Sequence, residues 1–406
     1  MLDALRGWTK AEKHAVAASF LGWTLDAFDF ALVTFVLTDI AREFGVSVKS
    51  VAVSLFVALA LRPVGAFIFG RLADRFGRRP VLMLDVLLYA GFAFVSAFSP
   101  NLLVFLVLRA LFGIAMGGEW GVGASLTMET VRPQLRGLVS GLLQSGYASG
   151  YPLANVAYGT VFPLIGWRGM FMLGLLPALL VLYIRRNVAE SPGWRPEKRS
   201  EGRVTSVLSA HWPLAIYAIV LMTALNFLSH GTQDMYATFL KVDHGFSPGL
   251  TGTLGVIAYI GAIIGGITFG VLSQRFGRRR TLVAASLLCL PALPLWILSQ
   301  SAVALAFGAF AMQFVVQGCW GVIPAHLNEL SPADARGTFP GTVYQLGNFF
   351  AAYAAPLQAG LAVQYGTYGF ALGAVAVVAA LAVAFLAAVG REAKEVDMRA
   401  QPAPAV

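Results

Sequence analysis

The sequence reads Gly70-Arg71-Leu72-Ala73-Asp74-Arg75-Phe76-Gly77-Arg78-Arg79 between two apolar segments, and the pattern returns as Gly270-Val271-Leu272-Ser273-Gln274-Arg275-Phe276-Gly277-Arg278-Arg279. The same shift of 200 residues carries Trp120-Gly121 onto Trp320-Gly321, Glu129 onto Glu329, and Arg136-Gly137 onto Arg336-Gly337. A shared shift at separated places indicates a duplicated unit, and parallel repeats are one way in which membrane transporters build alternating access. The sequence therefore predicts two repeated halves.

Composition places the chain in a membrane. Its 406 residues are 58% hydrophobic and only 12% charged, and the mean hydropathy is +0.73. A soluble chain of this length needs more polar surface. Apolar runs of about 20 residues, each long enough for a helix to cross a bilayer, recur along the chain. They predict an all-α membrane protein with twelve transmembrane helices in two pseudo-symmetric six-helix bundles, with spans at 15–37, 51–72, 80–98, 102–124, 138–163, 168–186, 213–240, 250–272, 281–299, 302–325, 338–364 and 367–390.

The basic residues indicate the orientation of the spans. All but six of the 29 lysines and arginines lie in or next to the amino terminus, the loops that follow even-numbered spans, or the tail. Cytoplasmic loops of membrane proteins carry such an excess. We therefore expect both termini to be cytoplasmic, in a multi-pass protein of the cytoplasmic (inner) membrane. This topology also accounts for the net charge of +9, so no nucleic-acid partner is expected.

A polar connection separates the two halves. Residues 187–212 form the longest segment between spans and are rich in Pro, Arg, Glu, Lys and Ser. We expect an amino-terminal six-helix bundle at 1–186, this cytoplasmic linker loop, and a carboxy-terminal six-helix bundle at 213–390. The cytoplasmic tail, 391–406, ends in Gln-Pro-Ala-Pro-Ala-Val and is predicted to be disordered.

The seventh predicted span contains a polar stretch. Residues 226–238 read Asn-Phe-Leu-Ser-His-Gly-Thr-Gln-Asp-Met-Tyr-Ala-Thr. On a helix that turns about 100° per residue, Asn226, His230, Gln233 and Asp234 lie within ~100° of one another. Polar and ionisable groups are costly in hydrocarbon and almost always face a cavity, a partner or a transport path. Serine and threonine could serve helix packing alone, but a histidine and a carboxylate one turn apart favour a functional site.

The repeated loop carries a family resemblance. Residues 70–79 resemble the signature loop of the major facilitator superfamily, which implies two six-helix bundles that rock about a central substrate site. The charges of the loop and of its repeat can form a cytoplasmic gate that breaks when the inner side opens, although the arginines could also serve only to fix topology. Because Gln274 replaces the aspartate in the second copy, we expect a weaker or different latch there. The candidate gate residues are Asp74, Arg75, Arg78, Glu129, Arg275, Arg278 and Glu329.

The polar stretch at residues 226–238 resembles one particular group within that superfamily. It agrees at all seven specified positions with N-x-x-[S/T]-H-x-[S/T]-Q-D-x-x-x-T, the signature of the Jen-type lactate and pyruvate proton symporters. Residues 61–66 (L-R-P-V-G-A) and 344–348 (Y-Q-L-G-N) are similar to that family and to its sialate:proton symporter relatives. Residues 25–30 and 117–121 look more like bacterial sialate and aromatic-acid symporters. The resemblance implies proton-coupled symport of small organic acids, with lactate and pyruvate as the leading substrates.

Arg62 is a candidate anchor for the substrate. It lies about halfway through the second predicted span, where an unpaired guanidinium is expensive. Its planar fork suits the substrate's carboxylate, and the family resemblance favours this interpretation. The alternative is a permanent ion pair with Asp26 or Asp29. The two can also be states of one cycle in which substrate displaces an aspartate.

Further polar residues are candidates for substrate binding and proton coupling. The predicted substrate-binding residues besides Arg62 are Asn226, His230, Gln233, Gln345 and Asn348, of which Gln345 and Asn348 rest on the family resemblance. The first candidate for proton coupling is Asp234, paired with His230. Asp26, Asp29 and Glu119 are also candidates, since burial favours the protonated form of a carboxyl group. Charge balance for Arg62 and Arg109, or helix packing, would explain these three acids as well.

Enzymatic activity is not expected. The sequence has no H-E-x-x-H, P-loop or G-x-S-x-G. The other histidines have no second ligand at metal spacing, and Cys289 and Cys319 lie in apolar segments. We expect no cofactor, a proton gradient as driving force, a small organic monocarboxylate and a proton as partners in the lipid bilayer, and function as a monomer. The alternatives are a proton symporter for sialate, aromatic acids or dicarboxylates, and a non-transporting carboxylate sensor.

Overall fold

The computed structural model describes residues 7–194 and 204–398, and the regular secondary structure of these residues is helical. Fifteen α-helices follow one another: α1 Lys10–Phe44, α2 Val48–Phe76, α3 Arg78–Ser96, α4 Leu102–Thr130, α5 Arg136–Thr160, α6 Phe162–Leu173, α7 Leu176–Asn187, α8 Val204–Gln233, α9 Tyr236–Val242, α10 Pro248–Phe276, α11 Arg278–Leu293, α12 Ala302–Leu330, α13 Phe339–Ala351, α14 Ala354–Tyr365 and α15 Tyr368–Val389. Short 3-10 turns precede α5 and α13, and a π-helical turn, Pro294–Leu298, continues α11.

The helices confirm the predicted all-α fold with twelve spans. Each predicted span falls on one helix or on consecutive helices, and ten such units of the described chain are long and apolar enough to cross a membrane. The other two spans fall on α5, which is rich in glycine and serine, and on α13 with α14, which are separated by a break at Ala352 and Tyr353. Both are less continuously apolar, and α5 and α13 also line the central space between the two halves.

The internal repeat extends to the ends of the helices. Side chains 200 residues apart cap equivalent helices by accepting a hydrogen bond from a backbone N–H three residues later: Ser47 at α2 and Ser247 at α10, Asn101 at α4 and Ser301 at α12. Such caps satisfy amide groups that the first turn of a helix leaves free. The duplicated sequence therefore starts equivalent helices in the same way.

Close helix packing holds each half together. α2 packs along α4 in the first half, and α10 packs along α12 in the second. A Cβ atom on Gly65 would overlap the backbone oxygen of Ile114, and one on Gly265 would overlap that of Phe314. Small residues at helix crossings allow this backbone approach where lipid provides no hydrophobic driving force between helices.

The two halves meet chiefly along α5 and α13, where α5 also packs against α12 and α13 also packs against α4. α5 of the first half packs along α10 of the second, and α2 packs along α13. The 200-residue repeat relates α2 to α10 and α5 to α13, so it exchanges one pair with the other. The halves are therefore related by an approximate two-fold symmetry, and a central space lies between them.

The outer surface of the bundle is apolar. Leu103, Val303, Phe307, Val378 and Phe385 are between 66% and 72% exposed. Contiguous apolar surface of this kind is unfavourable in water and is typical of lipid-facing helices.

The structure places a helix start within the predicted linker, and it describes the first part of the tail, residues 391–398. α8 begins at Val204 within the predicted linker and bends at His211, where the backbone leaves helical geometry. Residues 195–203 and 399–406 lie outside the described residues. The tail differs from the predicted disorder over residues 391–398, because its backbone is bound by arginines of both halves and the Met398 side chain is buried.

Candidate functional site

A cavity of about 230 Å³ lies between the two halves. α1, α2 and α5 line it from the first half, and α8, α10, α12 and α13 line it from the second. Six of the residues predicted for the site line this central cavity: Arg62, Asn226, His230, Gln233, Asp234 and Asn348. The structure thus brings together side chains from both halves.

Gln345 lies outside the central cavity. Tyr344 and Asn348 are four residues apart and share the face of α13 that lines the cavity, whereas Gln345 lies about 100° further around the helix. Its amide is buried, with no hydrogen-bond partner among the described residues. Tyr344, which the sequence analysis did not single out, takes the cavity-facing position.

Arg62 reaches the cavity with an incompletely paired guanidinium. Its Nη2 atom lies 3.8 Å from Asp26 Oδ1 and donates to the Met116 thioether at 2.8 Å. The Phe30 ring lies 5.2 Å from the guanidinium carbon. A long ion pair and a weak thioether acceptor leave Arg62 able to bind an incoming carboxylate through its planar fork.

His230 links α8 to α13 across the cavity wall. Its Nδ1 atom lies 3.1 Å from Asp234 Oδ2, and its Nε2 atom lies 2.8 Å from Asn348 Oδ1. A doubly protonated imidazole would donate to both acceptors, whereas a neutral one requires the Asn348 amide to turn. About a third of each of the His230 and Asp234 side chains is exposed, so both are reachable from the cavity.

A group of amides covers the second-half wall of the cavity. Gln233 donates to Ser229 Oγ at 3.0 Å and to Gln313 Oε1 at 3.1 Å. Gln317 donates to Ser229 Oγ at 3.3 Å. Asn226 uses its amide N–H for the backbone oxygen of Met222 at 2.8 Å. Gln313 and Gln317 were missed in the sequence, although their polarity within a predicted span was the available signal.

Aromatic rings form another part of the wall. Tyr344 packs on Trp120 at 4.6 Å between ring centroids and on Trp320 at 5.4 Å. Trp23 packs on Tyr147 at 4.9 Å. The two tryptophans that contact Tyr344 are equivalent in the repeat, so their shared spacing was a sequence signal for this cluster. The cavity therefore combines one cationic anchor with aromatic surface.

Four buried carboxyl groups lie inside the first half, away from the cavity lining. They belong to Asp26, Asp29, Glu119 and Asp85 of α3, each at most 3% exposed. No hydrogen-bond partner is found for the aspartate oxygens or for Oε2 of Glu119 among the described residues. The neighbouring cations are Arg62 and Arg109. Because an unpaired buried charge is costly, four carboxyl groups against two guanidiniums are suited to holding protons. Asp85, an aspartate within the third predicted span, was missed.

Metal ligation has no support in this arrangement. Among residues 7–194 and 204–398, no group of three or more His, Cys, Asp or Glu side chains is placed to hold a metal ion. Cys289 and Cys319 are buried free thiols.

The halves are joined at the end of the bundle where α1 begins and α15 ends, here called the terminal end. Asp74 accepts hydrogen bonds from the backbone N–H groups of Gly337 at 2.7 Å and Thr338 at 3.0 Å, and from the Thr338 hydroxyl at 2.6 Å. Gln274 accepts one hydrogen bond from the backbone N–H of Gly137 at 3.2 Å. These two equivalent contacts, here called the latch, connect α2 with α13 and α10 with α5.

Two buried ion pairs support the latch. Arg78 donates from Nε and Nη2 to Glu129 at 3.2 and 3.0 Å, and Arg278 donates in the same way to Glu329 at 2.8 and 3.0 Å. Arg78 also lies 3.2 Å from Asp74. The structure places the other two predicted gate residues, Arg75 and Arg275, outside the latch. Both are exposed, and each guanidinium lies over the ring of the following phenylalanine. They directly follow Asp74 and Gln274 in the helix, so their side chains are turned by about 100° from the residues that face the other half.

The tail crosses the junction between the halves. Arg136 of the first half donates to the backbone oxygen of Val396 at 2.5 Å, and Arg336 of the second half donates to that of Met398 at 3.1 Å. The Met398 side chain is 1% exposed and packs with Met128 and other apolar residues of the first half. Latch and tail together close the terminal end below the central cavity.

Comparison with known families gives a match to the Major Facilitator Superfamily over residues 19–230 and 219–405. The "Sialic acid transporter NanX" of Escherichia coli is 27% identical over 344 residues, which cover 83% of this chain and 84% of that protein. The "Carboxylic acid transporter protein homolog" of Saccharomyces cerevisiae is 30% identical over 403 residues, which cover 92% of this chain and 65% of that protein.

Solved structures share the fold. The proton:xylose symporter XylE matches with a TM-score of 0.73 at 19% identity, covering 95% of this chain and 97% of that one. FucP in its outward conformation matches with a TM-score of 0.75 at 13% identity, covering 92% and 97%. These identities support the architecture of the chain and leave its substrate open.

Proposed function

The chain belongs to the Major Facilitator Superfamily, and from that membership we propose that it is a proton-coupled symporter of small monocarboxylates, with lactate and pyruvate as the first candidates. The observation that carries the proposal is the Arg62 guanidinium, which is incompletely paired and lines a central cavity opposite His230 and Asp234. One cationic anchor in a cavity fits one carboxylate.

The properties of the cavity support a small substrate. Its volume of about 230 Å³ lies below the ~300–1,000 Å³ of pockets for drug-sized ligands. Arg62 would hold the carboxylate, while Asn226, Gln233 and Asn348 would bind the hydroxyl or keto oxygen. Gln345 could join them only after a change at α13. The yeast relative, a carboxylic acid transporter protein homolog by name, agrees with this substrate class.

Proton coupling follows from the charges in this proposal. An anion entering a dry cavity is costly, whereas an anion that arrives with a proton adds no net charge. Asp234, hydrogen-bonded to His230, is the first candidate for the proton carrier because both groups are reachable from the cavity. The buried carboxyl groups of Asp26, Asp29 and Glu119 are the second candidates.

Transport would proceed by alternating access. We place the terminal end on the cytoplasmic side of the inner membrane, because basic residues concentrate there. The latch is closed in this structure, so the cavity is shut on that side. Opening would separate Asp74 from Gly337 and release the tail. The cycle as proposed needs a proton gradient, no cofactor and a single chain.

A second candidate function is proton symport of aromatic acids or sialate. The rings of Trp23, Tyr147 and Tyr344 around the cavity favour a planar acid, and a sialic acid transporter is among the relatives. A dicarboxylate is less favoured, since Arg109 is buried away from the cavity lining and offers no second anchor there.

Competition for binding tests the proposal. Purified protein is incubated with radiolabelled L-lactate and an excess of unlabelled pyruvate, benzoate, sialate or succinate. Displacement by pyruvate supports the monocarboxylate assignment. Binding of benzoate or sialate without binding of lactate would support the second candidate, and binding of none of these acids would refute both.

A further inference from the structure

A second cavity of about 170 Å³ lies beside the central one, within the second half. Gln233, Tyr259 and Gln313 line both cavities, so the two spaces are neighbours that share these three side chains. We call this second space the side pocket. The transport cycle proposed above gives it no role.

The lining of the side pocket is uncharged. It contains no Lys, Arg, His, Asp or Glu side chain. The rings of Tyr236 and Trp296 stack at 5.2 Å with an angle of 19° between their planes and form one wall. Small residues, Gly255, Ala258 and Ala309, leave the space open. Flat aromatic walls and small neighbours suit a planar or apolar group.

The side pocket also holds an unused hydrogen-bonding group. Thr251 is 7% exposed, and its hydroxyl has no hydrogen-bond partner among the described residues. A buried hydroxyl without a partner is unusual, because the loss of its hydrogen bonds to water is not compensated. Tyr236, by contrast, lies within 3.3 Å of the backbone oxygen of Trp296 and donates to it. The Thr251 hydroxyl is therefore available to form a hydrogen bond with a polar atom of a ligand in the side pocket.

The side chains of Gln233 and Gln313 lie between the two cavities and line both of them. Gln233 donates to Gln313 at 3.1 Å, and Gln313 donates to Thr232 Oγ at 3.2 Å. Amide side chains of this kind can exchange a partner in the protein for one in a ligand at little cost. A change of partner by these two amides would join the central cavity, which Arg62 lines, to the side pocket, which Trp296 lines.

We infer that the side pocket is a subsite for the uncharged end of a monocarboxylate longer than lactate, whose carboxylate is held by Arg62. The inference rests on the proposed function and narrows its substrate class. An acid with a planar or apolar tail, and one hydrogen-bonding atom near its end, would fill both spaces. A dicarboxylate would bury its second charge against uncharged walls, which is costly.

A pair of glycine variants on α10 tests this subsite. Gly255 lines the side pocket, and a Cβ atom there would meet no atom within 4 Å, so the side chain of Gly255→Leu should occupy the side pocket. Gly252→Leu is the matched control. It lies three residues earlier on the same helix, its Cβ would also meet no atom within 4 Å, and it lines neither cavity.

The probes are L-lactate and 3-phenyllactate, which share the 2-hydroxy acid and differ by a phenyl ring. Binding is measured by competition on the full chain. We expect wild type to bind 3-phenyllactate about tenfold more tightly than lactate, because the ring is buried. Gly255→Leu should remove that ratio, and Gly252→Leu should preserve it.

Three results would overturn the inference. The first is equal affinity of the wild type for both acids. The second is an unchanged ratio of the two affinities in Gly255→Leu. The third is an equal loss of affinity for both acids in Gly255→Leu. Failure of wild type to bind either acid would refute the proposed function itself, and with it the subsite.

Discussion

Asp74 of the first half accepts a hydrogen bond of 2.7 Å from the backbone N–H of Gly337 in the second half. Its counterpart in the repeat, Gln274, accepts one of 3.2 Å from Gly137. The duplication therefore gives two latch contacts at equivalent positions, one made by a carboxylate and one by an amide. Hydrogen bonds to charged groups contribute about 1.5–3 kcal/mol, against about 0.5–1.5 kcal/mol for neutral ones. The Asp74 contact should dominate.

Asp74→Ala should open the terminal end. Losing the bonds to Gly337 and Thr338 costs the closed state about 1.5–3 kcal/mol, or roughly a 10- to 100-fold shift toward the open state. Distances between spin labels on Gln134 and Arg275, exposed residues on opposite halves, would measure the shift. Gln274→Ala is the control and should shift the population less. An equal or larger effect of Gln274→Ala would contradict the asymmetry.

Gly70→Val should also destabilise the closed state. A Cβ atom there would lie 2.6 Å from Thr338 Cα and 2.7 Å from the Gly337 backbone oxygen, so the backbone must move. Overpacking of this kind typically costs about 1–3 kcal/mol. The same pair of spin labels should report a longer distance. Gly91→Val, whose Cβ meets no atom within 4 Å, should leave the wild-type distance unchanged; similar distances in both variants would argue against tight closure at Gly70.

Arg62→Ala should abolish uptake into proteoliposomes. The variant removes the proposed carboxylate anchor and leaves Asp26 without its nearest cation. Arg62→Lys keeps the charge but not the planar fork, so we expect a loss of about tenfold or more in uptake. Arg42→Ala, at a side chain that is 83% exposed, is the control and should transport normally. Near-normal uptake by Arg62→Ala would remove the anchor assignment.

Asp234→Asn should separate proton coupling from substrate movement. The amide can still hydrogen-bond to His230 but cannot carry a proton. We expect loss of uphill accumulation driven by a proton gradient, with exchange of substrate across the membrane retained. Both are measured on the same proteoliposomes. If Asp26→Asn gives this result and Asp234→Asn does not, the proton carrier belongs to the buried carboxyl groups of the first half.

The architecture was readable from the sequence because its signals are local or periodic. Apolar runs set the spans, and the 200-residue shift predicted the equivalence of α2 with α10. The same shift also identified the four latch positions as two equivalent pairs, since it relates Asp74 to Gln274 and Gly137 to Gly337. The sequence could not show that these four positions meet in crossed pairs, which depends on how the halves pack.

The sequence predicted the site only in part, because the face that each helix turns to the cavity depends on how the helices pack together. Arg62 and His230 stand out as ionisable groups within apolar spans. Gln345 was named from the family resemblance, but the rotation of α13 turns Tyr344 to the cavity. The disorder predicted for the tail rested on its composition, whereas the position of residues 391–398 comes from Arg136 and Arg336 on the two halves.

Uptake of radiolabelled L-lactate into proteoliposomes, with and without an inward proton gradient, tests the central claim most directly. Proton-coupled monocarboxylate symport predicts accumulation of lactate above equilibrium when the gradient is present, and its collapse when a protonophore is added. Lactate uptake that is indifferent to the gradient, or no uptake under either condition, would contradict it.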